Sequence, residues 1–126
     1  MGWLEEFGPD YEVPGLIDFM VREGIVEDLS WQNDASPSFA VKDPQDEGRG
    51  VRLWVAHPVM SLREFESKRF LVEQGEFAGE TEWELDTNDL EEAVTAFLRR
   101  AEKHMPPDRR PHFDGLVREW RKSAVS

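Results

Sequence analysis

The pattern of apolar and polar positions centres on residues 48–58, an apolar run of β-formers with one basic residue inside it. Gly48-Arg49-Gly50 opens this stretch and His57-Pro58 closes it. Val51, Leu53 and Val55 fall on one side of an extended chain, and Arg52, Trp54 and Ala56 on the other. β-Formers on both sides predict an inner strand with neighbours along both edges and cover on both faces. The other elements read as strands that pair with it or helices that cover it.

Upstream, Val13, Leu16, Ile17, Met20 and Val21 recur at helical spacing. Pro14 suits a first turn and Gly24 the position just past a helix end, so a helix is expected over 13–23. Residues 1–12 carry Trp3, Leu4 and Phe7 before Gly8-Pro9-Asp10 and read as a short turn or a tethered end. Residues 25–32 alternate imperfectly, with Ile25, Leu29 and Trp31 on one face of a first strand. Asn33-Asp34-Ala35-Ser36-Pro37 has turn chemistry. A second strand over 38–42 turns Phe39 and Val41 inward, and 43–48 forms the hairpin into the central strand.

Downstream, Met60, Leu62 and Phe65 fit either a loop or a short helical turn. A strand over 66–73 sets Phe70 and Val72 on one face, and 74–79 turns the chain. Residues 80–86 then alternate cleanly: Thr81, Trp83 and Leu85 inward, Glu80, Glu82, Glu84 and Asp86 outward. Asn88 is the expected N-cap of the best helix, with Glu91 at capping-box spacing. Leu90, Val94, Phe97, Leu98 and Ala101 form its apolar stripe. Glu91 and Glu92 near its start, and Arg99, Arg100, Lys103 and His104 near its end, match the helix dipole. Met105-Pro106-Pro107 stops it. A last helix over 108–122 carries Phe113, Leu116, Val117 and Trp120. That stripe needs a cover, and its own chain is expected to supply it.

The expected fold is therefore a single α+β domain spanning 1–126, in the order α-β-β-β-β-β-α-α. Its sheet is an antiparallel meander of about five strands with one N-terminal and two C-terminal helices.

Composition narrows the chemistry. A chain of 126 residues is one domain by size. Charged residues make up 33%, yet five Trp and eight Phe supply enough burial to oppose disorder. There is no cysteine, so disulfides, thiolate ligands and thiol nucleophiles are excluded. That fits a reducing cytoplasm, the expected location. No signal peptide is expected, and no stretch approaches the roughly 20 apolar residues of a membrane span. The net charge of −12 repels nucleic acid and anionic membrane, so neither is an expected direct partner. The basic residues gather late, at Arg109, Arg110, Arg118, Arg121 and Lys122.

Three histidines are too few and too scattered for a metal cluster. His57, at the end of the central strand, has the position of a general base but no nucleophile near it in sequence. Asp43, Asp46 and Glu47 lack the alternate spacing of a calcium loop. Glu80, Glu82 and Glu84 read as a solvated face. No catalytic residue, metal or cofactor is expected.

The most distinctive local sequence is 31–39, a polar turn between two aromatics, which is how recognition loops sit on a rigid sheet. Trp31, Asn33, Asp34, Trp54 and His57 are the candidate ligand- or partner-binding residues. The expected function is a non-catalytic protein-binding module, chaperone-, adaptor- or immunity-like. Its expected partner is another protein, with a monomer preferred to a homodimer. Two alternatives stand beside it. One is a small-ligand binder or enzyme with a pocket near His57. The other is an acidic mimic of nucleic acid that binds a basic protein.

Overall fold

The computed structural model describes residues 3–30, 36–63 and 68–125. Five strands form one sheet in the order of the chain, every neighbouring pair antiparallel. They are β1 (Glu27–Asp28), β2 (Ser38–Asp43), β3 (Asp46–Val55), β4 (Phe70–Glu76) and β5 (Thr81–Thr87). Before the sheet come α1 (Trp3–Phe7), a 3-10 turn (Pro9–Tyr11) and α2 (Gly15–Arg22). After it come α3 (Leu90–Glu102) and α4 (Arg110–Val125). The α+β meander expected from the sequence is the fold observed.

β3 is the middle strand, as its two-sided apolar character requires. Val51, Leu53 and Val55 have no exposure and meet Phe39, Val41, Phe70 and Val72 from the neighbouring strands. Ile17 and Met20 of α2 join this core, as do Ala93, Val94, Phe97, Leu98 and Ala101 of α3. Fully burying one such large side chain contributes roughly 1.5–3 kcal/mol before ordering costs. The opposite face is covered less than expected. Ser38 and Ala40 are buried there, but Arg52 and Trp54 are only half-buried.

Phe113 of α4 is fully buried in the same core, and Leu116 and Val117 pack against it. The last helix therefore lays its stripe on its own chain, against α3. The Trp120 side chain lies outside the described part.

Several boundaries moved, each for a physical reason. The first strand shrinks to Glu27–Asp28 because the Ile25 and Val26 N–H groups cap α2, both donating to the Met20 carbonyl. Gly24, at φ 75°, makes that reversal as a left-handed C-terminal glycine. The N-cap of α3 is Asp89, one residue after the expected Asn88: its carboxylate accepts from the Glu91 and Glu92 N–H groups. Asn88 instead accepts the Arg69 N–H at 2.8 Å. β4 continues to Glu76 because a bulge at Gln74/Gly75 absorbs the register change. That bulge also overturns the inward reading of Thr81, which is exposed and donates its hydroxyl to Glu73.

Candidate functional site

The connection between β3 and β4 is organised by Arg69. Its guanidinium donates to the Ala56 carbonyl, to Tyr11 O at 2.6 Å and to Glu12 O at 3.1 Å. It also lies over the Phe70 ring, 4.8 Å from the centroid. Burial, and then the neighbouring Arg63, lower the Arg69 pKa from its ordinary value, with Glu12 pulling the other way. Such charge-assisted bonds are the stronger kind, and here they fasten residues 11 and 12 to the end of β3. Tyr11 in turn packs edge-on against His57 at 5.0 Å, and Phe7 against Tyr11 at 5.2 Å. The N-terminal segment is held at its start too, where the Trp3 N–H donates to Asp28 and the Trp3 indole to Asp18.

His57 then shapes the connection. Its Nδ1 accepts the Val59 N–H at 3.0 Å. An accepting nitrogen carries no proton, so the neutral ring holds its proton on Nε2. The His57 carbonyl accepts from Arg63 Nε at 2.6 Å, and Pro58 O from the same guanidinium at 3.4 Å. The Leu62 N–H to Val59 O and the Arg63 N–H to Met60 O close a 3-10 turn over Met60–Leu62. Every one of these bonds fixes backbone, and the side chains are left outside. Val59, Met60 and Leu62 are 50%, 62% and 61% exposed.

The five residues singled out from the sequence do not form one described site. Trp31, Asn33 and Asp34 lie outside the described residues. Trp54 and His57 have different ring partners, Arg52 for the first and Tyr11 for the second. Trp54 lies under the Arg52 guanidinium at 4.0 Å, and Arg52 also donates to the Ser38 hydroxyl at 2.8 Å. The Trp54 Nε1 is shielded from solvent and has no hydrogen-bond partner among the described residues. The space beside it, lined by Gly50, Glu73, Phe77 and Thr81 among others, is about 40 Å³. That suits a water molecule rather than a substrate.

A larger groove of about 540 Å³ runs between the end of α2, the outer edge of β2 and the corner joining α3 to α4. Several of its polar groups are engaged, while His104 Nε2 is buried without a hydrogen-bond partner among the described residues. Lys42 pairs with Glu27 at 3.2 Å, and Arg109 donates to the Gly24 carbonyl at 2.8 Å. His104 Nδ1 lies 3.7 Å from the Asp43 carboxylate. That separation is too long for the hydrogen bond by which a carboxylate orients a catalytic histidine, and no Ser, Thr or Cys lines this groove. Among the described residues no group of three or more His, Cys, Asp or Glu is arranged to hold a metal ion. No helix among them is long and apolar enough to cross a membrane.

Sequence reasoning missed Arg69 and Tyr11, because their contact joins residues 58 apart, and Arg63, because its bonds to the His57 and Pro58 carbonyls depend on how the turn folds. The only signal was at Met60 and Leu62, whose apolar character stood in a segment with no clear element. Comparison of the chain with protein-family models, with curated proteins and with solved structures gives no match, so the geometry alone carries the functional argument.

Proposed function

We propose that this protein is a non-catalytic protein-binding module, and that the β3–β4 turn is its contact. One observation carries the reading. Six large apolar side chains are exposed among the described residues, and three of them, Val59, Met60 and Leu62, fall within four positions. Scattered exposure is ordinary, but apolar side chains concentrated on one feature mark an interaction site. The turn beneath them is held by His57, Arg63 and, through Tyr11, Arg69, so little order has to be gained on binding. The engagement of His57 Nδ1 as an acceptor supports a structural role for that ring over one as general base. The cysteine-free, acidic composition fits a monomer working in the cytoplasm.

Met60→Asp combined with Leu62→Asp tests this. Both side chains are exposed, so stability is expected to stay within about 0.5 kcal/mol of the parent. A partner captured from host-cell lysate by the parent and identified by mass spectrometry is expected to be lost from the variant. Identical capture by the two proteins, at equal stability, overturns the reading.

A further inference from the structure

We infer that the outer edge of β5 is a docking site for an extended basic segment of another protein, which adds to the sheet as a sixth strand. This goes beyond the β3–β4 contact by naming a second surface, and it shares with that reading only the protein-binding role.

The hydrogen-bonding phase follows from the ladder. The Val55 N–H donates to Pro37 O toward β2, and the Ala56 N–H to Arg69 O toward β4. Main-chain groups alternate sides from residue to residue along a strand. Phe70, Val72 and Gln74 therefore face β5 and pair with Thr87, Leu85 and Trp83. The N–H and C=O groups of Glu84 and Asp86, between those pairs, point outward. β5 ends the sheet order, so among the described residues no strand lies beside this edge. An open row of main-chain donors and acceptors is the template for strand addition.

The side chains specify what fits. Glu84 and Asp86 are exposed on the face away from the helices. Glu84 stands directly opposite Glu73 of β4, and the other cross-strand neighbour of Glu73 is Arg52 of β3, so the cation of this row lies on the inner side and the outward flank at Glu84 and Asp86 is acidic. Arg49 is engaged farther along, with Glu82 and Glu76. These carboxylates do not form a metal-holding group. On the helix side, Trp83 and Leu85 are half-buried beside α3. Two hollows of about 390 and 460 Å³ run along that border, both touching Ala96 and Arg99. A strand with Lys or Arg at alternate positions meets the acids on one face. Its intervening apolar residues cover Leu85 and the outer flank of Trp83 on the other, where Arg100 already lies over the Trp83 ring at 3.3 Å. A second copy of this chain fails the same criterion. Antiparallel pairing of two β5 strands about Glu84 would set Glu84 against Glu84 and Glu82 against Asp86.

The probe is a capped peptide, Lys-Val-Lys-Val-Lys-Val-Lys, titrated into labelled protein and followed by NMR. Expected are shift changes along 81–87 and slowed amide exchange at Glu84 and Asp86. Glu84→Pro removes one outward N–H and leaves the β4 ladder intact, so the fold is kept and binding weakens by at least about tenfold. The exposed pair Glu84→Lys and Asp86→Lys is expected to lose this peptide and to gain the Glu-Val counterpart. The inference is overturned by any of three results: no shift along β5 at millimolar peptide, equal binding of the Glu-Val peptide to the parent, or unchanged binding to both variants. Peptide failure alongside partner capture that still depends on Met60 and Leu62 removes this inference alone. Peptide binding with capture indifferent to those two residues removes the β3–β4 reading alone.

Discussion

Arg69 donates to the Tyr11 carbonyl at 2.6 Å although the two residues are 58 apart in the chain. This contact ties the N-terminal segment to the turn that presents Val59, Met60 and Leu62. Arg69→Ala leaves the carbonyls of Tyr11, Glu12 and Ala56 without that donor. The expected cost is on the order of 1.5–3 kcal/mol in urea denaturation, the range for hydrogen bonds to a charged group. Amide exchange around residues 11–12 and 56–59 is expected to quicken. An unchanged midpoint would show that the strap adds no stability.

Phe113 is the anchor of the last helix, with no exposure. Phe113→Ala leaves a cavity under α4, and the expected loss is about 3–5 kcal/mol. Calorimetry on the variant checks it. Truncation before α4 is expected to lower the melting midpoint and expose the α3 side of the core.

Gly75 holds the bulge that aligns β5. Its φ is 145°, and an added Cβ would come within 2.5 Å of Glu80 O and 2.9 Å of Glu82 N. Both neighbours are backbone and cannot swing aside. Gly75→Ala is therefore expected to cost on the order of 1–3 kcal/mol as backbone strain. NMR should show the shifts of 80–83 displaced, while β2 and β3 stay as they are.

Asn88 and Asp89 do different work in adjacent positions, and substitution separates them. Asp89→Ala removes the acceptor for the Glu91 and Glu92 N–H groups and is expected to cost about 1 kcal/mol by loss of the α3 cap. Asn88→Ala removes the acceptor of the Arg69 N–H, so its effect is expected at the start of β4, with α3 intact. Site-resolved amide exchange distinguishes the two.

The sequence by itself determined the order of the elements and the inner place of β3. Period-two alternation at Val51, Leu53 and Val55, and helical spacing at Val94, Phe97, Leu98 and Ala101, are local patterns that burial imposes on any fold; Leu90, at the start of the same stripe, is left exposed. It determined the stripe on α4 as well, because Phe113, Leu116 and Val117 repeat within two turns. Only the tertiary structure decided between Asn88 and Asp89 as the cap. Either side chain can cap a helix, and the need of the Arg69 N–H for an acceptor, 19 residues away, settled the choice. It also decided that Thr81 faces out, since a bulge is a property of two strands together. The β3–β4 turn was the least legible part. Nothing in Met60-Ser61-Leu62 says whether its apolar residues are covered, because exposure depends on which distant groups take up the backbone around them. Here Arg63, His57 and the Arg69–Tyr11 strap hold the main chain and leave the side chains to solvent.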